Sequence, residues 1–255
     1  MLSDFSYVSA VIFIAMNVMF VLALILKNNS IIDIFWGIGF VIVACSLAIQ
    51  IQSLNFTQIL FGIFLSAWAI RLSLHIFLRN KGHAEDFRYA NWRKTWKYFI
   101  LRSYFQVFML QGLMMLIISL PVLAVYNSGF EGKIVFTIIG SLIFISGFLT
   151  ETLADYQLKQ FRNNPENKGR IIKSGLWKYS RHPNYFGEAL LWWGLWIISL
   201  PVTLWYITIL SPIVITILLR YVSGVPMLEE KYRNHPEWEA YCNKTPVFVP
   251  WVRKK

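Results

Sequence analysis

KIVFTIIGSLIFISGFLTETLADYQL, residues 133–158, is the stretch on which the fold turns. No charge interrupts it between Lys133 and Glu151. A bilayer core about 30 Å thick is crossed by about 20 apolar residues in an α-helix, so this run reads as a transmembrane span. Working outward, comparable runs lie at 5–26, 31–52, 56–78, 99–125, 185–200 and 202–222. The pattern predicts an all-α, polytopic membrane bundle of about seven transmembrane helices. Pro183 suits the first turn of the sixth helix, where a missing N–H costs nothing. Ser199–Thr203, around Pro201, would join the sixth and seventh as a tight hairpin. The first run has no Lys or Arg before Lys27, unlike the basic start of a cleaved signal, and reads as a retained helix.

Charge sets the topology. Arg79, Lys81, Arg88, Arg93, Lys94 and Lys97 fill the connection 79–98. The connection 159–183 and the tail after 222, which ends in Arg253, Lys254 and Lys255, are similarly basic. The alternate loops 53–55, 126–132 and 199–203 have no Arg or Lys. Because positive loops stay inside, the N-terminus is expected outside and the C-terminus in the cytoplasm. The chain reads as a single integral membrane domain, 1–255, with no repeat or linker. Its four helices over 1–130 would form a substrate side, and the three helices and cytosolic cap over 131–255 a cofactor side.

Composition agrees. Hydrophobic residues make up 56% and charged residues 15%, against about a quarter charged in soluble domains. Aromatics at 17% suit membrane interfaces. A net charge of +11 would suggest nucleic acid in a soluble protein. Confined to particular loops, it points instead to the lipid bilayer and an anionic cofactor, with no nucleic-acid partner. Cys45 and Cys242 are too far apart in character and position to frame a disulfide or a Cys-based metal site, and no metal is expected.

Ionisable residues at membrane depth are costly and therefore candidates for function. Asp33 opens the second run in IIDIFWGIGF, where it is either a helix-start acid or a buried functional carboxyl. Arg71 and His75, at i and i+4 in AWAIRLSLHIF, share a face and could pair with Asp33 or serve chemistry. Glu151, Asp155 and Arg162 lie on one face of ETLADYQLKQFR, as a salt-bridge cluster or as contacts to a nucleotide.

GRIIKSGLWKYSRHPNYFGEALLWWG, residues 169–194, is the most informative segment. Arg170, Lys173, Arg181 and His182 crowd the start of a helix whose free N–H groups suit an anion. Asn184, Glu188 and Trp192 follow at four-residue spacing along one face. The alternative is a basic segment touching anionic lipids.

GLWKYS followed by RHPNYFGE resembles the C-terminal domain of the steroid 5α-reductase family, in its bacterial branch. Arg-His-Pro-x-Tyr is shared more distantly with isoprenylcysteine carboxyl methyltransferases and phospholipid methyltransferases. ADYQLKQFR, DIFWGIGF, RLSLHIF and EDFRYANWR are similar to the same reductase branch, so the resemblance covers most of Asp33 to Trp251. It implies a bacterial inner-membrane protein with an NADPH site open to the cytoplasm. The cofactor would be held by Glu151, Asp155, Arg162, Arg170, Tyr179, Arg181, His182, Asn184, Tyr185, Glu188, Trp192 and Arg220. Asp33 and His75 are the candidate acids, with Trp36, Trp68 and Arg71 beside a lipophilic substrate entering from the membrane. Glu151 stands where steroid reductases have asparagine, and Gly224 and Leu228 replace a histidine and a tyrosine, which weakens the expectation of a steroid.

The expected reaction is hydride transfer to the β-carbon of a lipophilic enone, with an acid polarising the carbonyl. The competing reading is a membrane methyltransferase using S-adenosylmethionine. Arginines near 162–181 favour NADPH, whose phosphates need cations, whereas the sulfonium is itself positive. A transporter or receptor fits less well, since the charges gather at one membrane face instead of the midplane. The closing stretch EEKYRNHPEWEAYCNKTPVFVPW, from Glu229 to Trp251, is expected to fold as a cytosolic cap over the site.

Overall fold

The structure is a computed structural model and describes residues 2–127, 129–202 and 205–251. Ser128, Thr203, Leu204 and the terminal Val252, Arg253, Lys254 and Lys255 lie outside the described residues, as does part of the predicted 199–203 hairpin turn. All the regular secondary structure of the described residues is helical. It divides into two compact units, Met1–Ile134 with Ser199–Ser211, and Val135–Ile198 with Pro212–Lys255.

In the first unit, α1 (Leu2–Leu26), α2 (Ile31–Ala48) and α3 (Phe56–Asn80) are long and apolar enough to cross a membrane. Asn55 and Gln58 cap α3 reciprocally, each side chain accepting from the other's backbone N–H. Gln58 also donates to the Val125 carbonyl at 2.9 Å, tying this end of α3 to a later segment. α2 packs closely on α3 because Gly37 has no side chain. A Cβ there would stand 2.7 Å from the Ala69 carbonyl oxygen. Trp36, Phe40 and Trp68 continue that contact as two edge-to-face ring pairs with centroids 5.5 and 5.6 Å apart. A short helix α4 (Phe87–Thr95), which hydropathy alone does not reveal, follows α3.

The run 99–125 is interrupted. α5 (Phe99–Ser103) passes through a π-helical turn, Tyr104–Met109, into α6 (Leu110–Ile118), and α7 (Leu120–Val125) starts afresh with Pro121 in its first turn. The π turn presents Tyr104 and Phe108 to Phe20 of α1, with centroids at 5.0 and 5.3 Å. Phe99–Ile118 remains long enough to span.

The second unit is built on α8 (Ile134–Asn163) and α9 (Pro183–Ser199). Glycines repeat every seven residues on both helices: Gly140 and Gly147 on α8, Gly187 and Gly194 on α9. A Cβ on Gly194 would lie 2.5 Å from the Phe144 nitrogen, and one on Gly187 would lie 2.5 Å from the Glu151 nitrogen. The helices therefore run antiparallel with backbones in contact, the arrangement small residues permit in membranes. α10 (Trp205–Thr208) belongs to the first unit. α11 (Leu210–Ile217) leads to a second π turn, Leu218–Val222, and α12 (Val225–Glu229), and α13 (Trp238–Lys244) lies in the tail.

Among the described residues, six helices are long and apolar enough to span, where the sequence suggests about seven. The segment expected at 185–200 is α9, whose 17 residues reach only about 25 Å at 1.5 Å per residue. It is a helix buried against α8: Trp192 and Leu195 are fully enclosed. The spanning helices turn apolar residues such as Ile25, Ile70 and Leu142 outward, as lipid requires. The protein is thus a helical membrane protein.

Candidate functional site

The glycine contacts determine which side chains meet in the second unit. Where Gly187 lies against Glu151, the next turn of each helix brings Asp155 and Asn184 together, Asn184 Nδ2 donating to Asp155 Oδ1 at 3.0 Å. Glu151 and Glu188 are buried beside this pair, and Trp192 is completely enclosed one turn further along α9. The i, i+4 face of Asn184, Glu188 and Trp192 thus packs inward. Asn184 Oδ1 is buried and accepts no hydrogen bond.

The segment before α9 wraps the C-terminal end of α8. Trp177 donates from Nε1 to the Ala154 carbonyl at 3.1 Å, and the Leu176 N–H donates to Gln157 Oε1 at 2.9 Å. Gly175 adopts a positive φ of 60° here, and Gln157 leaves no room for a Cβ. Ala154, Ile172 and Trp177 form a small apolar core under the turn.

Arg181 and His182 converge on Glu229. His182 Nε2 and Arg181 Nε each stand 3.0 Å from Glu229 Oε1. His182 stacks on Tyr185 with ring centroids 5.8 Å apart, and its Nδ1 is buried without a partner. Burial pushes the His182 imidazole pKa down, only partly opposed by the Glu229 carboxylate and aided by the charges of Arg181 and Arg220. Arg220, in the π turn, lies over its neighbour Tyr221 at 4.7 Å.

The tail is strapped to this turn by main-chain bonds. Arg181 N–H donates to the Pro246 carbonyl at 2.9 Å, and Trp251 N–H donates to the Tyr179 carbonyl at 3.0 Å. Ser180 Oγ donates to the Phe248 carbonyl at 2.7 Å, and the Tyr241 hydroxyl donates to the Trp177 carbonyl at 2.6 Å. Burial holds the Tyr241 phenol well above its usual range, so it remains a donor. Trp238 lies 5.4 Å from the Arg181 guanidinium. The tail covers the RHPNY turn, with Lys173 and Glu237 paired at 2.8 Å on the outer surface.

The cations divide by position. Arg162, Arg170 and Lys173 are exposed, Tyr179 is 40% exposed, and Arg181 is engaged by Glu229. The enclosed ionisable groups at the α8–α9 contact are acids. Counting arginines along the chain cannot distinguish these two shells. The positions that sequence reasoning left without a role here are Glu229, Gln157, Ser180 and the four glycines. Of these, only the seven-residue spacing of the glycines is a signal that the sequence holds.

The other predicted residues lie in the first unit. Asp33 Oδ2 is 2.7 Å from Arg88 Nη2, and Asp33 Oδ1 accepts from the Tyr89 hydroxyl at 2.7 Å. Arg88 also bonds Asp86 through Nε at 2.8 Å, and burial and the Asp33 carboxylate act on it most, the net result being a raised pKa. Both oxygens of Asp33 are thus held by EDFRYANWR, a partnership not foreseen in its sequence. Arg71 and His75 are half-buried on α3, and Trp68 is enclosed in the α2–α3 core.

Fold and site together define a helical membrane protein with an enclosed polar cradle at the end of a glycine-packed helix pair. The chain belongs to the family described as "Protein of unknown function (DUF1295)", whose sequence model matches residues 19–245. It is 27% identical over 141 residues to the protein-S-isoprenylcysteine O-methyltransferase of Saccharomyces cerevisiae, covering 52% of this chain and 56% of that one. It is 44% identical over 46 residues to the probable O-methyltransferase ustE of Ustilaginoidea virens, covering 18% and 16%. It is 27% identical over 209 residues to the uncharacterized protein C594.04c of Schizosaccharomyces pombe, covering 71% and 60%. The chain thus spans less than two thirds of each relative's length. No solved structure matches it.

Proposed function

We propose that this protein is an S-adenosylmethionine-dependent membrane methyltransferase acting on a lipophilic substrate that enters from the bilayer. Its cofactor cradle lies at the α8–α9 contact and faces the cytoplasm. The observation carrying this reading is the sign of the enclosed charge. Glu151 and Glu188 are buried and Asp155 is half-buried, whereas Arg162 and Arg170 are outside. An enclosed acidic set suits a sulfonium and an α-ammonium and opposes the phosphates of NADPH. The buried acceptor Asn184 Oδ1 suits a hydroxyl or amino donor of the same cofactor. When bound, S-adenosylmethionine supplies an electrophilic methyl group. The chain's own residues bind it, orient it and exclude water. The names of two relatives as methyltransferases support this reading over the reductase one.

The reductase reading retains one supporting observation. Arg220 and Arg181 act electrostatically on His182 at the mouth of the cradle, where a phosphate could lie. Calorimetric titration of purified protein with S-adenosylmethionine, NADPH and NADH separates the two. The expected result is saturable binding of S-adenosylmethionine alone, lost in Asp155→Ala and Asn184→Ala. Binding of NADPH alone would overturn the methyltransferase assignment.

A further inference from the structure

A cleft in the first unit has no part in the cradle. It lies where α2 begins and α3 ends, one turn beyond the close contact at Gly37. Its volume is about 110 Å³, room for roughly four waters at liquid density. Ile34 and Phe77 form an apolar wall along the span, and Phe77 is exposed. Ser30, Asn80, Lys81 and His83 form its polar mouth.

The charges around the mouth are unevenly spent. Arg88 holds Asp33 and Asp86, and Arg93 holds Glu85 with two bonds at 2.8 and 2.9 Å. Glu85 and Asp86 also accept or donate at the α2 start: Asn29 N–H donates to Glu85 Oε1, and Asp86 N–H donates to Ser30 Oγ. The acids are therefore turned away into an internal network. Lys81 is exposed on the cleft edge. Asn80 Nδ2 is a buried donor with no acceptor. His83 Nδ1 lies 3.2 Å from the Lys81 carbonyl, an arrangement in which Nδ1 donates and Nε2 is directed elsewhere.

We propose that this cleft binds the phosphoryl headgroup of an anionic membrane lipid. Lys81 contacts the phosphate beside the Asn80 carboxamide that lines the mouth, and an acyl chain lies against Ile34 and Phe77. A cation, an unsatisfied buried donor and an apolar wall at the edge of two spanning helices match the two halves of such a molecule. A free phosphate shares the headgroup chemistry and would leave the wall unused.

The test uses the full-length protein in delipidated detergent micelles, with native mass spectrometry and fluorescence titration. The probes are dioleoylphosphatidylglycerol, dioleoylphosphatidylcholine and inorganic phosphate. The phosphatidylglycerol is expected to bind more tightly than phosphatidylcholine, and millimolar phosphate should compete with it. Lys81→Gln should weaken the anionic lipid about fivefold, the ordinary worth of one lysine facing an anionic lipid surface. Phe77→Ala should weaken the lipid and leave the affinity for phosphate unchanged. If Lys81→Gln does not yield folded protein, Asn80→Leu reads the same mouth. Equal binding of the two lipids, or an unchanged affinity in the folded variants, overturns the proposal. Phosphate binding without any preference for the anionic lipid also overturns it, leaving a free-anion site.

Discussion

Adding a methyl group at Gly187 should open the cradle. A Cβ there would lie 2.5 Å from the Glu151 nitrogen and 2.6 Å from the Gly147 carbonyl oxygen. Ordinary contact begins near 3.4 Å, so α9 must move about 0.9 Å away from α8 (3.4 less 2.5). Both obstacles are backbone atoms, which cannot rotate aside. The upper part of the usual overpacking cost, about 2–3 kcal/mol, therefore applies. Alanine's better helix propensity returns about 1 kcal/mol, leaving Gly187→Ala net destabilising by about 1–2 kcal/mol. For a protein of this size that corresponds to a fall of roughly 2–8 °C in Tm. The same displacement would stretch the 3.0 Å Asn184–Asp155 hydrogen bond to about 3.9 Å if α9 moves as a rigid rod, beyond bonding range. Losing a bond to a charged group, about 1.5–3 kcal/mol, should weaken S-adenosylmethionine binding by at least about tenfold if this pair shapes the cradle. Tryptophan-fluorescence melting and calorimetric titration read the two effects. Ser146→Ala, on the outer face of α8, is the control and should change neither. A Gly187→Ala protein with Tm within about 1 °C of the parent and unchanged affinity would refute the backbone-contact argument.

Arg88→Ala should leave Asp33 and Asp86 without their shared cation. Breaking a buried pair costs about 3–5 kcal/mol, and the partial exposure of these side chains lowers the expected loss to about 2–3 kcal/mol, measurable as a drop in Tm. Acidification should destabilise the second unit through His182. Its folded pKa lies below the ordinary value near 6.5, so the unfolded chain binds more protons. The stability is present above about pH 6.5 and is lost as the pH falls through the folded value. Melting curves from pH 8 to pH 5 should slope downward in the parent and flatten in His182→Gln, and parallel slopes would contradict the assignment.

Legibility differed by region. Hydropathy located α3 and α8 to within a few residues, because lipid makes span length a property of the local sequence. α9 is shorter than the other long helices and its apolar side chains cover a helix partner, a distinction hydropathy does not make because burial in protein and burial in lipid look alike to it. Hydropathy missed α4, a polar helix held by Asp33, Tyr89 and the cap at Asp86. Within the site, Asp155, Asn184, Glu188 and Trp192 were legible from the four-residue period, which is a property of any helix. Arg162 and Arg170, which the family resemblance and the local charge both suggested, are exposed. Glu229 was legible only as the first residue of the expected cap, because its partners Arg181 and His182 are 47 residues or more away in sequence.

The sequence by itself determined that the chain is a helical membrane protein and where its long helices lie. These are consequences of span length, helical period and local residue type. Only the tertiary structure decided which charges are enclosed. Two glycine pairs bring α8 and α9 into backbone contact, carry the acids inward and leave the arginines at the rim. Burial sets the energy of a charge, and burial depends on contacts between residues distant in the chain, so the sign of the cradle could not be read from the sequence.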